Sequence, residues 1–240
     1  MLDSPAPTCL EGPRIRLWLA DGLEGEDAAA WLAGGEALLE ARAHAAGDRV
    51  LGTGRGAARG LTIGGRLGVW RVNRHGGLLG GLQGARYRSP DRLAREVLLS
   101  AWLRSQGVDT PEVLLALAVR QGAFWRQHLV TEEVCDARTV FEARDEESAL
   151  LAADAMLERV FALGLWATDL HPGNLLWQPN PAPASASAAP GRCWLLDLAG
   201  ASLRNRPLNA EERAARRARF ARFFQKHAGA VPARFLEARN

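Results

Sequence analysis

The chain has 240 residues, of which 48% are hydrophobic and 24% charged, so it can bury a substantial core and is not a disordered chain. No apolar run is long enough for a membrane span, the N-terminus lacks a signal pattern, and three widely spaced cysteines favour neither a metal site nor disulfides. These features predict a protein of the reducing cytoplasm. The net charge of +3 is carried almost entirely by arginine, which suits an anionic partner.

The first predicted elements are an N-terminal extension and a glycine-rich hairpin. Within residues 1–45, Asp27 begins a pattern typical of a short helix. Residues 50–63 predict a strand, a glycine-rich turn and a second strand. Glycine lets backbone N–H groups approach phosphates closely, although a glycine cluster alone is often only a flexible turn. The candidate nucleotide-binding glycines are Gly52, Gly54 and Gly56.

The next strand and helix supply a possible phosphate clamp. The strand at 67–72 carries Arg71, at the right distance after the glycine-rich turn. A helix is predicted over 91–103, with an apolar face at helical spacing. Its Glu96 is a candidate ion-pair partner that would hold the Arg71 guanidinium toward a nucleotide. The alternative is a local pair between Glu96 and an arginine of its own helix.

Two strand-like runs at 113–120 and 124–130 follow, and the second becomes polar at its end. In a kinase-like fold this end is the hinge, where backbone groups of Glu132 and Val134 would meet the adenine edge. The last helix, predicted over 209–227, is dense in arginine. We expect it to pack through its phenylalanines and to expose a basic face, with contact to an anionic membrane surface as a weaker alternative.

The most informative stretch runs from Trp166 to Trp177 and is followed by an apolar strand ending at Asp197. It places Asp169 five residues before Asn174, in a loop that Pro172-Gly173 turns back on itself. A phosphotransferase of the protein-kinase type needs these groups, because one carboxylate serves the acceptor hydroxyl while an amide and a second carboxylate hold magnesium. Either aspartate alone would be read as an ordinary loop acid.

Two residue types that kinases usually place near this machinery differ in the chain. A kinase has a lysine on its third strand, but the only lysine here is Lys226, so Arg71 must substitute or the site is inactive. The position two residues before the catalytic aspartate, often histidine, is Ala167. Both differences favour a non-catalytic pseudokinase. The retention of Asp169, Asn174 and Asp197 opposes that interpretation.

The chain resembles the 3-deoxy-D-manno-octulosonic acid (Kdo) kinases of the lipopolysaccharide kinase family, over roughly residues 48–225. Four segments carry the resemblance, and the arginine at the lysine position with the Arg-His-Gly-Gly run after it is the most specific part. The segments are Val69-Trp70-Arg71-Val72-Asn73-Arg74-His75-Gly76-Gly77-Leu78-Leu79-Gly80, residues 129–139, Asp169-Leu170-His171-Pro172-Gly173-Asn174-Leu175-Leu176 and Trp194-Leu195-Leu196-Asp197.

The resemblance implies an α+β, protein-kinase-like fold of two lobes, with an N-lobe in residues 1–130 and a mainly helical C-lobe in residues 131–240. It implies ATP and Mg²⁺ as cofactors, Asp169 as the base, and Asn174 and Asp197 as magnesium ligands. Arg71 with Glu96 would then clamp the phosphates. The glycines of the turn and the backbone at Glu132 and Val134 would bind the nucleotide, and Arg74, His75, Arg86 and Arg88 would face the anionic acceptor.

The implied reaction is phosphorylation of a Kdo hydroxyl on a lipid A precursor, at the cytoplasmic face of the inner membrane, by a peripheral protein with no nucleic-acid partner. A second interpretation is a kinase of the same fold that acts on another small-molecule or sugar acceptor, for example a cationic one such as an aminoglycoside or a choline-like alcohol. A cationic acceptor would need an acidic pocket, which the acids of residues 136–147 could line. The pseudokinase is the third interpretation, and the oligomeric state is left open.

Overall fold

The computed structural model describes residues 7–23, 26–51, 58–74, 84–180 and 191–236. The chain divides into two compact units. The first comprises residues 1–102 and 111–133, and the second comprises residues 103–110 and 134–240.

The first unit is built on a seven-stranded antiparallel sheet with the strand order β1-β2-β6-β7-β5-β4-β3. The strands are β1 (Thr8–Gly12), β2 (Ile15–Leu19), β3 (Val50–Leu51), β4 (Ala58–Ile63), β5 (Arg66–Val72), β6 (Val113–Gln121) and β7 (Phe124–Glu132). Among the described residues, the helices that begin in this unit are α1 (Ala28–Ala45) and α2 (Asp91–Ser105).

The sheet of the first unit is buried on both faces, which explains the nearly continuous apolar run of β6. Side chains alternate between the two faces of a strand. On β6, Leu115 and Leu117 join one core cluster with Trp31 of α1, whereas Ala116 and Ala118 join another with residues of α2. The central strand therefore packs against helices on both sides.

Two features of the N-terminal extension differ from the prediction. Residues 8–19 form the hairpin β1–β2, which extends the sheet by pairing with β6. Helix α1 is 18 residues long rather than short, because the helix resumes beyond a kink at Gly35, whose φ is 52°. Asp27 does cap its N-terminus, with the carboxylate accepting from the Ala29 N–H at 2.8 Å.

A fully buried histidine, His128, lies in β7. Its Nδ1 accepts from the Trp70 indole N–H at 3.3 Å, so the neutral ring carries its proton on Nε2. The Glu36 carboxylate lies 3.8 Å from Nε2, but it is also paired with Arg126 at 3.0 Å. Burial, followed by the charge of Arg126, lowers the pKa of His128 to about 4.

Acidification is therefore expected to destabilise the protein through His128. An unfolded histidine titrates near 6.5, so between that pH and about 4 the unfolded state binds more protons and stability falls as the pH falls. The loss attributable to His128 between pH 7 and pH 5 is about 2 kcal/mol. His128→Gln keeps an acceptor for Trp70. Its free energy of unfolding, measured by urea denaturation, should therefore fall correspondingly less between pH 7 and pH 5 than that of the wild-type protein. Equal losses in the two proteins would contradict this assignment.

In its described ranges, the second unit has two long helices and two small antiparallel sheets. The sheets have the orders β11-β10-β8 and β12-β9. The elements are β8 (Arg138–Thr139), α3 (Glu147–Ala162), β9 (Leu165–Ala167), a 3-10 turn (Pro172–Asn174), β10 (Leu175–Gln178), β11 (Arg192–Leu195), β12 (Ala201–Leu203), α4 (Ala210–Ala228) and a second 3-10 turn (Ala233–Phe235).

Helix α4 begins and ends at clear signals. Asn209 and Glu212 form a capping box at its start, and Gly229, with φ 75°, ends it in the left-handed conformation. Phe220 and Phe224 are buried, as the apolar side of the predicted helix requires. Part of the arginine-rich face is packed rather than solvated, because an arginine in the middle of the helix pairs with two acids of α3.

This arginine, Arg217, is buried enough to matter for stability. Its guanidinium lies 2.7 Å from Asp154 and 2.6 Å from Glu158, and the side chains of Arg217 and Asp154 are only 11% and 6% exposed. Arg217→Met is expected to destabilise the protein by about 3 kcal/mol, because the Asp154 charge stays buried without this partner. The midpoint of urea denaturation measures this. Arg222→Met, on the exposed side of α4, should change stability by no more than about 0.5 kcal/mol.

Candidate active site

The pairing of β10 with β11 brings Asn174 and Asp197 to the same end of a hairpin. Leu175 pairs with Leu195, and one residue further the Leu196 N–H donates to the Asn174 carbonyl at 2.9 Å. Asp197 is the next residue after Leu196. The two residues are therefore distant in sequence but occupy neighbouring positions, because the strands between them pair in an antiparallel register.

Asp197 has an unusual backbone for a non-glycine residue, with φ at 53°. Such a conformation is uncommon outside glycine and asparagine and is often kept at functional sites. The Ala199 N–H donates to its Oδ1 at 3.4 Å. The chain therefore turns sharply at Asp197 as soon as β11 has ended, and this turn fixes where the carboxylate lies.

Asn174 ties the loop that carries Asp169 to the hairpin. Its Nδ2 donates to the Asp169 carbonyl at 2.9 Å, and its backbone N–H donates to the His171 carbonyl at 2.8 Å. The 3-10 turn at Pro172–Asn174 makes this return possible. Because the amide nitrogen is engaged, the amide oxygen is the end of the side chain left to bind a cation.

The Asp169 carboxylate is open to solvent, with a side chain 58% exposed. A charged partner is the Arg219 guanidinium of α4, whose Nη2 lies 3.5 Å from Oδ1. This is a long contact at an exposed position and adds little to stability. An accessible carboxylate that is held by its backbone rather than by buried bonds suits a base that must meet an incoming hydroxyl.

The loop lacks the usual histidine at Ala167, and Thr168 makes a connection of its own. The Thr168 hydroxyl donates to the Gly200 carbonyl at 3.2 Å, and Ala167 pairs with Ala201 between β9 and β12. These contacts join the segment just before Asp169 to the segment just after Asp197. The loop is thus braced by a threonine and a strand pair.

His171 lies in the motif, but the sequence pattern predicted no role for it. Its Nδ1 accepts from the Gly173 N–H at 3.1 Å, and its ring stacks flat on Phe223, with centroids 4.3 Å apart and planes at 5°. Burial lowers the pKa of His171, while the charges of Asp169 and Asp197 oppose that shift. Both carboxylates therefore act on one fixed imidazole, a relation that the motif letters alone do not show.

The residues at the hairpin end fit a magnesium ion. Mg²⁺ prefers carboxylate and amide oxygens and usually takes only one or two protein carboxylates, with water and phosphate completing its shell. Asn174 and Asp197 supply one amide oxygen and one carboxylate. Among the described residues there is no group of three or more His, Cys, Asp or Glu side chains able to hold a metal. The chemistry of this donor set matches Mg²⁺ bound together with a nucleotide.

The first unit brings Arg71 and Glu96 together. The Arg71 guanidinium pairs with Glu96 Oε1, and the Glu96 side chain is only 2% exposed, whereas that of Arg71 is 31% exposed. Asn73 donates to the other oxygen of Glu96 at 3.3 Å. The carboxylate is therefore held on both oxygens, and about a third of the Arg71 side chain is exposed to solvent.

The structure describes only some of the other residues predicted to contact the nucleotide or the acceptor. The Glu132 N–H donates to the Glu112 carbonyl at 2.8 Å, so only its carbonyl is left to meet an adenine edge. Val134 belongs to the second unit and is partly buried. Gly52, Gly54 and Gly56 lie outside the described residues, as does the run from His75 to Gly80. The other arginines expected near the acceptor are exposed, namely Arg74, Arg86 and Arg88.

A comparison with protein-family models identifies one family. The sequence model described as "Lipopolysaccharide kinase (Kdo/WaaP) family" matches residues 76–227. No curated protein shows a significant sequence match to the chain.

Among solved structures, "WaaP in complex with acyl carrier protein" is similar with a TM-score of 0.55 and 20% identity, over 93% of this chain and 88% of that one. A Rio2 kinase complex with ADP, Mg²⁺ and phosphoaspartate from Chaetomium thermophilum has a TM-score of 0.48 and 20% identity, over 83% and 63% of the two chains. The first likeness confirms the predicted protein-kinase-like α+β fold. Since the family model covers more than half of the sequence, the chain belongs to the lipopolysaccharide kinase (Kdo/WaaP) family.

Proposed function

We propose that the chain transfers the γ-phosphate of ATP to a hydroxyl of the Kdo sugar on a lipid A precursor. The observation that carries the proposal is the joining of Asp169, Asn174 and Asp197 by one loop and one hairpin, in a member of a lipopolysaccharide kinase family. Phosphoryl transfer depends mainly on positioning and charge neutralisation, which these groups can provide.

Each residue has a distinct part in this proposal. Asp169 accepts the proton of the attacking hydroxyl and orients it. Asn174 and Asp197 hold Mg²⁺, which neutralises charge on the phosphates when it is bound. Arg71 binds the nucleotide phosphates with its guanidinium, and Glu96 keeps that guanidinium in place. The adenine is contacted by the hinge backbone, at Glu132 and Val134.

We place the protein at the cytoplasmic face of the inner membrane, as a peripheral enzyme. Among the described residues, no helix has the length and the apolar character that crossing a membrane requires. A lipid-linked acceptor would bring the enzyme to the membrane surface. The net positive charge of the chain favours that approach, since this surface is anionic.

Three of the acids that a cationic acceptor would need are engaged in local structure. Glu142 accepts from the Thr139 N–H and hydroxyl at 2.9 and 2.8 Å. Glu146 pairs with Arg138 at 2.5 Å, and Glu147 pairs with Arg234. These bonds engage three of the five acids in the segment, Glu142, Glu146 and Glu147, and so favour an anionic acceptor over an aminoglycoside-like one.

The experiment that tests the function is transfer of label from γ-labelled ATP in the presence of Mg²⁺, with three acceptors in parallel. They are Kdo-bearing lipid A precursor, the same precursor without Kdo, and an aminoglycoside. Label on the Kdo-bearing lipid alone supports the proposal. Label on another acceptor contradicts the Kdo assignment, and a folded protein that neither transfers label nor binds ATP is a pseudokinase.

A further inference from the structure

The basic residues of α4 fall into two sets with different surroundings. The residues of an inner set make contacts with other parts of the second unit. Arg213 and Arg217 pair with acids of α3, and Arg216 lies over the Trp166 ring at 4.1 Å and contacts the Ala167 carbonyl. An outer set, which we call the basic stripe, consists of Arg219, Arg222 and Lys226.

The basic stripe follows one side of the helix. Its members are spaced by three and four residues, so they are neighbours on an α-helical surface and together extend about 10 Å. All three are exposed. Within the described part of the chain, Arg222 and Lys226 have no ion-pair or hydrogen-bond partner. Apart from the long contact of Arg219 with Asp169, the stripe is thus a surface of positive charge that other described side chains do not neutralise.

The stripe begins at the catalytic loop. Arg219 is the residue whose guanidinium lies 3.5 Å from Asp169, and Phe223, between Arg222 and Lys226 in sequence, stacks on His171. The loop and the helix are therefore fixed to each other by a flat ring contact and by a weak ion pair. A ligand lying along the stripe would have one end beside the Asp169 carboxylate.

The positive charges also act on one another. The pKa of Arg216 is lowered first by burial and then by the charges of Arg219 and Arg222. Gathering guanidinium groups in this way is unfavourable in the free protein. A bound anion would relieve the repulsion and form charge-assisted hydrogen bonds with the same groups.

We propose that the basic stripe binds the anionic groups of the acceptor, a sugar carboxylate or a lipid-linked phosphate, and so directs the acceptor hydroxyl to Asp169. This inference rests on the proposed function and adds the surface that selects the acceptor. Arg222 and Lys226 contribute to binding and not to the chemical step. Arg219 adds to binding and lies next to the base.

The test uses the full-length double variant Arg222→Gln/Lys226→Gln. The KM for Kdo-bearing lipid A precursor should rise about tenfold or more, while kcat at saturating acceptor and the KM for ATP stay near the wild-type values. A matched control, Arg14→Gln/Arg16→Gln, removes two positive charges from the first unit and should leave the acceptor KM unchanged. An unchanged acceptor KM in the stripe variant, or an equal rise in the control, would overturn the proposal.

A direct measurement of binding distinguishes the sugar carboxylate from the lipid-linked phosphate as the bound anion, and it does not depend on turnover. Free Kdo probes the carboxylate, and lipid A precursor without Kdo probes the phosphates, each titrated without ATP. The proposal requires the stripe variant to bind at least one of these two ligands more weakly than the control variant does. If the two variants bind each ligand with the same affinity, the proposal is overturned. If the wild-type protein binds these ligands through the stripe but does not phosphorylate Kdo, the proposed reaction fails while the anion surface stands.

Discussion

Replacing Asp169 with asparagine is expected to slow phosphoryl transfer by roughly 10²- to 10⁴-fold, the usual contribution of a general base. The change removes the proton acceptor and keeps the size of the side chain. The Asp169 backbone carbonyl, which accepts from Asn174, is untouched, and the side chain is largely exposed. The variant should therefore keep its fold and its affinity for ATP.

The measurement is the single-turnover rate at saturating ATP and acceptor, together with the thermal midpoint. Asp145→Asn is the matched control, because Asp145 is an exposed aspartate of the same unit and has no place in the proposed site. The control should react at the wild-type rate. A rate for Asp169→Asn within a few-fold of wild type would remove Asp169 from the role of base.

Replacing Asp197 should abolish magnesium-dependent turnover, with a loss of roughly 10³-fold or more if several kcal/mol of charge stabilisation disappear. Asp197→Ala also forces alanine into a left-handed backbone, which costs about 1–2 kcal/mol. Asp197→Asn avoids this strain, since asparagine tolerates positive φ. The asparagine variant therefore separates the loss of the carboxylate from damage to the turn.

Asp136 offers a matched control for Asp197, because it is an exposed aspartate of the same unit with a similar φ of 55°. Asp136→Asn should leave the dependence of turnover on Mg²⁺ concentration unchanged. Asp197→Asn should need far more Mg²⁺ or fail to respond to it, while its thermal midpoint stays close to that of the control. A wild-type Mg²⁺ response in Asp197→Asn would contradict the assignment of this residue as a metal ligand.

The spacing of Asp169, Asn174 and Asp197 was enough to predict that the three residues lie near one another, because each of the connecting segments has a strong local signal. Pro172-Gly173 predicts a turn, and the apolar run before Asp197 predicts a buried strand. The antiparallel register of β10 with β11 then follows from a hairpin connection. The α+β kinase-like fold, which the resemblance to the lipopolysaccharide kinase family implied, is confirmed.

Other features depend on contacts that local patterns do not encode. The hairpin β1–β2 was missed because the strand from Ile15 to Leu19 is short, and its pairing with β6 joins segments about 100 residues apart in the chain. Helix α1 was predicted too short because Gly34-Gly35 resembles a helix end, yet the helix resumes beyond the kink. The ring contact between His171 and Phe223 joins two residues that lie far apart in the chain, and no sequence period links them.

The most direct test of the proposed reaction is mass spectrometry of Kdo-bearing lipid A precursor after incubation with the wild-type protein, ATP and Mg²⁺. We predict the gain of one phosphoryl group, which fragmentation places on the Kdo portion. An unmodified Kdo in the presence of folded, ATP-binding protein, or a phosphoryl group found only on the lipid A portion, would contradict it.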